Sequence, residues 1–286
     1  MFGLTIKHFG VKTSLEILEK HMNNFIAAMD HSGGSTGGVL ERYGQEYTED
    51  DKMAKVHQMR LRMVNSKYFN HNNIWAAILY KDTVDRGMVS ELSSKGISSI
   101  LKIDSGCKDD GTLKVFDISR MIEYAKSHGC IGTKMRSIIK SADVLDDVLD
   151  QQFKLAETIS KGGLLPIIEP EVPIDHDDKA NIESLLRRGL GARLNWYQGK
   201  CILKLTLPDV PNTYHDLLLY SNINKIVGLS GGYSTDEACR RLTQNKDMTA
   251  SFSRGLSEGL FVHQTDNEFE DAIGNNIKMI IKACQT

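Results

Sequence analysis

The chain has 286 residues, 41% of them hydrophobic, with a formal net charge of −2. That length fits one large barrel or two modest domains. The near-neutral balance excludes the basic footprint of a nucleic-acid or anionic-membrane binder. Cys107, Cys130, Cys201, Cys239 and Cys284 are odd in number, widely spaced and form no C-x-x-C pair. They read as reduced thiols in a cytoplasm-like compartment. No run approaches the roughly 18 apolar residues of a membrane span, and Met1 to Lys12 lack a signal-peptide layout.

In chain order, a helix is expected at 13–23, ahead of a first strand at 25–30 (FIAAMD). A glycine-rich turn, GGSTGG at 33–38, follows without running into a convincing helix. A helical pattern at 50–64 leads to strands at 74–80 (IWAAILY) and 97–104 (ISSILKID). A helix at 119–128 ends at His128-Gly129, just before a strand at 130–136 (CIGTKMR). The clearest helix, 144–161, carries apolar residues at 144, 148, 155 and 159 and precedes a strand at 164–169 (LLPIIE). Helix 178–194, strand 201–207 (CILKLTL), helix 213–221 and strand 225–230 (KIVGLS) come next. Ser234 caps a helix at 234–244, and a strand at 249–254 (TASFSR) and a helix at 267–283 close the chain.

Strand then helix, about eight times over, predicts an α/β fold: one (β/α)8 TIM barrel over 1–286, with the first helix packed before strand one. The alternative is an open doubly wound sheet, but the 33–38 turn lacks the G-x-G-x-x-G spacing of that fold.

In such a barrel, chemistry belongs at the carboxyl ends of the strands. Charges fall there: Asp30, Lys102 with Asp104, Lys134 with Arg136, Glu169 with Glu171, Lys204 and Arg254. Lys204 is the sharpest. It alternates with Ile202 and Thr206 on one face of an apolar strand, and Cys201, Leu203 and Leu205 take the other. A buried ammonium loses hydration and its pKa is pushed down, which suits a nucleophile that attacks carbonyls to form a Schiff base. A lysine snorkelling to solvent from an edge strand is the alternative at that position. Neighbouring lysines would lower the Lys204 pKa further, and the apolar face shared by Glu169, Leu165 and Ile167 would raise the Glu169 pKa toward the working range of an acid/base.

After the last two strands, Ser230-Gly231-Gly232 enters a helix and Ser253-Arg254 closes the barrel. Glycine N–H groups and a helix start favour an anion, and phosphate sites of these barrels commonly lie there. Ser32 and Ser35 offer a second such corner. The nine histidines show no H-x-x-x-H spacing, and Asp175-His176-Asp177-Asp178 reads as a helix start, so no metal is expected.

The blocks FIAAMDHSGGST, LKIDSG, GTKMRS, LPIIEPE, ILKLTLP, LSGGYS and SFSR, in order from about residue 25 to 254, resemble the class I fructose-1,6-bisphosphate aldolases of shorter bacterial type. The resemblance implies a cytoplasmic, cofactor-free lyase that cleaves fructose 1,6-bisphosphate to dihydroxyacetone phosphate and glyceraldehyde 3-phosphate, and it allows a homo-oligomer. It makes Lys204 the Schiff-base lysine and Glu169 the acid/base of carbinolamine dehydration. Asp30 and Lys134 would assist at the bond being broken, with Glu171 and Lys102 as electrostatic support. Arg136 would contact substrate. Ser230, Gly231, Gly232 and Arg254 would hold the C1 phosphate, with Ser32 and Ser35 near the C6 phosphate. Animal members carry an acid where this chain has His31 and a glycine where it has Ser253, and their tail ending in tyrosine has no counterpart in Ala283-Cys284-Gln285-Thr286. The alternatives are a Schiff-base aldolase or transaldolase-type enzyme for another sugar phosphate, or a non-catalytic scaffold.

Overall fold

Each of the eight expected strands contributes to one parallel sheet in the computed structural model, which describes residues 24–115 and 117–285. The helix expected at 13–23 lies outside the described residues. In sheet order the strands are β1 (Phe25–Met29), β2 (Ile74–Leu79), β3 (Ser98–Lys102), β6 (Gly132–Ile138), β7 (Leu165–Glu171), β8 (Cys201–Thr206), β9 (Ile223–Leu229) and β10 (Met248–Ala250). The Ala28 N–H donates to the Phe252 carbonyl at 3.2 Å and brings the two edges together. The result is a (β/α)8 barrel. A two-stranded hairpin, β4 (Asp104–Cys107) and β5 (Leu113–Val115), stands beside it.

The outer layer holds α1 (Gly34–Tyr43), α2 (Lys52–Asn65), α3 (Lys81–Asp85), α4 (Met88–Ser94), α5 (Ile118–Ser127), α6 (Leu145–Lys161), α7 (Lys179–Leu194), α8 (Thr235–Leu242), α9 (Arg254–Ser257) and α10 (Asp266–Ala283). Helix α6 shows why these segments are helical. Leu145, Val148, Leu149, Phe153, Ala156 and Ile159 recur at three- and four-residue steps and are buried. Each large member contributes roughly 1.5–3 kcal/mol by leaving water, which outweighs any propensity difference along the helix. Capping follows the sequence: Ser234 accepts from the Glu237 N–H, and Thr265 with Glu268 forms a capping box on α10.

The period of two along each strand splits the core into two layers. Residues such as Phe25, Leu101, Ile168 and Leu203 face the helices. Ile26, Ala28, Ala76, Ile78, Ile100, Ile167, Ile202 and Val227 fill the barrel interior. The charged residues occupy the next inward positions toward the carboxyl ends: Asp30 after Ala28, Lys102 after Ile100, Glu169 after Ile167 and Lys204 after Ile202. An apolar plug thus supports a charged floor.

Several expectations are corrected. Strand eight stops at Ala250, and Arg254 opens α9. The third strand stops at Lys102, so Asp104 is its neighbour from the hairpin and not a residue of the same strand. Strand 164–169 extends to Glu171, held in register from Gly132↔Leu165 to Ile138↔Glu171. The segment at 213–221 is a short 3-10 turn, His215–Leu219. The glycine-rich turn does enter a helix: α1 starts at Gly34, because Gly33 takes a positive φ of 53° that turns the chain.

Candidate active site

The carboxyl ends of the strands surround a cleft of about 400 Å³, lined among others by Asp30, Lys102, Lys134, Arg136, Glu169, Glu171 and Lys204. At its floor β6, β7 and β8, with the residue that follows β1, place four charges in contact. Glu169 Oε1 is 3.1 Å from Lys204 Nζ and Glu169 Oε2 is 3.1 Å from Lys134 Nζ. Lys134 Nζ also lies 2.5 Å from Asp30 Oδ2. Register explains the placement. Ile167 pairs with Ile202, so Glu169 and Lys204, two residues further, stand side by side.

Burial sharpens the electrostatics. Lys134 and Lys204 are 2% and 3% exposed, which rules out the snorkelling alternative for Lys204. Desolvation alone would raise the Asp30 carboxyl, but the Lys134, Lys204 and Lys102 ammoniums outweigh it and hold it far below the usual range. Desolvation would likewise lower Lys134, yet Asp30, Glu169 and Asp104 hold it above the ordinary lysine value. Lys134 is a fixed cation.

Glu169 corrects an expectation. Its burial does push the carboxyl up, as its apolar neighbours imply, but Lys134 and Lys204 overcome this and the net shift is downward. At rest it is a carboxylate. Gln152, the polar member of the buried stripe on α6, holds its backbone: Oε1 accepts from the Glu169 N–H at 3.3 Å while Nε2 donates to Ser137 Oγ at 2.9 Å.

The rim completes the set. Arg136 Nε donates to Glu171 Oε2, and burial, which would lower the guanidinium, is outweighed by that carboxylate. Lys102 Nζ donates to Ser32 Oγ at 2.8 Å and stands 3.5 Å from Asp104 Oδ1. Ser32 is therefore tied to Lys102 and does not line the cleft, whereas Ser35 does. Ser35 Oγ donates to the Ser32 carbonyl at 2.9 Å.

On the opposite rim, Ser230, Gly231, Gly232 and Arg254 come together as the sequence implied. Gly231 has φ of 57°, and a Cβ there would lie 2.7 Å from Ile174 Cγ2, so only glycine fits the turn. Arg254 Nη1 donates to the Gly232 carbonyl at 3.0 Å. Sequence reasoning missed Arg42, whose guanidinium also reaches the cleft and feels the charge of Arg254. The signal was available, since Ser35, Gly38 and Arg42 share one face of a helix at steps of three and four. Without a helix at 34–43, that face could not be drawn. No group of three or more His, Cys, Asp or Glu among the described residues is arranged to hold a metal ion.

A barrel with a buried lysine touching a carboxylate at its carboxyl mouth has the architecture of an enzyme that works on carbonyl substrates through its own side chains. The comparisons agree. The chain is 44% identical over 281 residues to the class 1 fructose-bisphosphate aldolase of Synechocystis sp., covering 92% of this chain and 94% of that protein. It is 41% identical to the class 1 enzyme of Clostridium acetobutylicum, covering 92% and 95%. This chain belongs to the class 1 fructose-bisphosphate aldolase family. No protein-family model matches it. Among solved structures, the fructose-bisphosphate aldolase of Plasmodium falciparum, in complex with TRAP and a small-molecule inhibitor, superposes with a TM-score of 0.74 at 18% identity, covering 94% of each chain. An archaeal fructose-1,6-bisphosphate aldolase, with its catalytic lysine covalently bound to the carbinolamine intermediate of the substrate, gives 0.59 at 10% identity, covering 93% of this chain and 97% of that one. Both share the fold.

Proposed function

We propose that this chain reversibly cleaves fructose 1,6-bisphosphate to dihydroxyacetone phosphate and glyceraldehyde 3-phosphate, with Lys204 as the imine-forming residue. The observation that carries the assignment is the Glu169 carboxylate lodged between the two buried lysines, Lys204 and Lys134. The proton that Lys204 must shed has an acceptor 3.1 Å away in Glu169 Oε1. The freed amine adds to the C2 carbonyl and gives a carbinolamine. With Lys204 no longer an ammonium, one of the three cations depressing Glu169 is gone, so its affinity for the proton rises. Glu169 returns the proton to the departing hydroxyl, water leaves, and a protonated imine forms. A resting carboxylate thereby becomes the acid.

The imine is an electron sink. Asp30 takes the C4 hydroxyl proton as the C3–C4 bond breaks, and the bonding pair moves into an enamine on Lys204. Lys134, a fixed cation 2.5 Å from Asp30, orients that carboxylate and steadies the charge that passes through it. Protonation of the enamine and hydrolysis of the imine release dihydroxyacetone phosphate. Arg254 with Ser230, Gly231 and Gly232 holds the C1 phosphate, and Ser35 with Lys102, which Ser32 holds in place from behind, receives the C6 end. Arg136 contacts substrate, and Glu171 orients it. The five free thiols support a reducing, cytoplasmic setting. Among the described residues no helix is long and apolar enough to cross a membrane. A homo-oligomer fits this reading.

Incubation with dihydroxyacetone phosphate followed by borohydride should add mass to the peptide containing Lys204. Modification confined to Lys134 or Lys102 would move the nucleophile to another strand and overturn the assignment.

A further inference from the structure

Two residues of the cleft wall, His31 and Ser253, touch each other: His31 Nε2 lies 2.9 Å from Ser253 Oγ. Asp30 directly precedes His31 and Arg254 directly follows Ser253. The contact spans the seam where β10 meets β1, and the nearby main-chain bond is the one from Ala28 to Phe252. A third residue backs it. Arg60, on α2, is 2% exposed and makes no ion pair among the described residues. Its Nη2 donates to the His31 carbonyl at 2.9 Å and its Nη1 to Thr83 Oγ1. A buried guanidinium with no carboxylate in contact is costly even with Asp30 and Asp82 acting on it from further away, and every other buried residue of α2 is apolar. Both partners of Arg60 are neutral oxygens, and one is the backbone that carries Asp30 into the cleft.

We propose that the His31–Ser253 bridge, backed by Arg60, is a positioning device that couples the Asp30 carboxylate to the Arg254 guanidinium across the barrel seam. Desolvation, helped by Arg60, Arg42 and Lys134, depresses the His31 imidazole to about 4 against the pull of Asp30. The bridge is therefore a neutral hydrogen bond near pH 7 and adds no cation beside Asp30 and Lys134. Each residue acts through a neighbour: His31 through Asp30, Ser253 through Arg254, Arg60 through the His31 backbone. The inference rests on the aldolase reading, because it assigns a purpose to holding an acid and a phosphate ligand at fixed separation.

A double-mutant cycle on the full chain tests it, with fructose 1,6-bisphosphate as substrate and His31→Leu, Ser253→Ala and their combination as variants. Each single variant should lower kcat/KM about tenfold, and the double no further than the worse single, because one bond is being removed twice. Melting temperatures should stay close to wild type, and borohydride trapping of dihydroxyacetone phosphate on Lys204 should persist. Arg60→Lys, which keeps the charge but not the fork, should reproduce part of the loss. Free guanidinium added to Arg60→Ala should restore part of the activity. Additive losses of about a hundredfold in the double variant, or losses that follow the melting temperature, would overturn the bridge. Absence of trapping on Lys204 in the wild-type protein would instead overturn the functional reading on which it rests.

Discussion

Glu169 and Lys204 face one another from adjacent strands at 3.1 Å, both nearly buried, with the second oxygen of the carboxylate 3.1 Å from Lys134. That second oxygen, Oε2, accepts no hydrogen bond among the described residues. Its charge is balanced instead by the ion pair with the buried Lys134 ammonium. One carboxylate thus bridges two lysines, which is the arrangement the proposed proton exchange with Lys204 uses.

Glu169→Gln keeps the shape and the hydrogen-bonding capacity but removes the proton-carrying group. We expect kcat to fall about 10²–10⁴-fold, the usual span for losing a general acid/base, with a smaller change in KM. Steady-state kinetics on fructose 1,6-bisphosphate decide it. A raised KM with nearly unchanged kcat would mark Glu169 as a binding residue.

Lys134→Met tests the ion network. Removal of the shared cation leaves Asp30 and Glu169 buried together near pH 7, a loss of about 3–5 kcal/mol in stability alongside the loss of activity. Without Lys134 both carboxyls regain part of the upward push of burial. The deficit should therefore shrink as pH falls and they protonate. Denaturant unfolding at several pH values would show this, and a deficit independent of pH would count against the network.

His31 supplies a pH prediction with a fixed sign. Its folded value is about 4, set first by burial, against an unfolded value near 6.5. Between those limits the unfolded chain binds the extra proton, so stability rises with pH. Stability is greatest above about pH 6.5, where the imidazole is neutral in both states, and falls by roughly 3 kcal/mol, or about 5 °C in Tm for a chain of this size, as pH drops through 4. Asp30 and Glu169 are also depressed. They hold their contribution above about pH 4 in any His31 variant, so a comparison cancels them. Wild-type Tm should drop more steeply than that of His31→Gln between pH 6.5 and 4. Parallel curves would mean that the imidazole titrates alike in both states.

Arg254→Ala addresses the phosphates. Loss of one charge-assisted ligand should cost about 1.5–3 kcal/mol, a tenfold to hundredfold fall in kcat/KM. The fall should be equal for fructose 1-phosphate and fructose 1,6-bisphosphate, since both carry the C1 group. It should nearly vanish for a substrate phosphorylated only at C6. Selective damage to the bisphosphate would exchange the two sites. Arg42, close enough to feel the charge of Arg254, makes that measurement informative for both corners.

The sequence by itself determined the barrel and the charged mouth, because both depend on local periods. Alternation along Ile202, Lys204 and Thr206, or Ile167, Glu169 and Glu171, places chemistry on the inward face of each strand without knowledge of its neighbours. The strand and helix order then leaves few topologies. What the period could not supply is who faces whom. Asp104 reads as an extension of the third strand, yet it belongs to a hairpin. Arg254 reads as a strand residue and opens a helix, because a strand ends where its partner's hydrogen bonds end. The direction of the Glu169 shift reversed for the same reason. Its apolar neighbours are local in sequence and do raise the carboxyl, but the lysines that lower it come from two other strands. Arg42 needed a helix that Gly33 starts with a backbone turn. The contact between His31 and Ser253 joins residues at opposite ends of the chain. Only closure of the sheet could place them 2.9 Å apart.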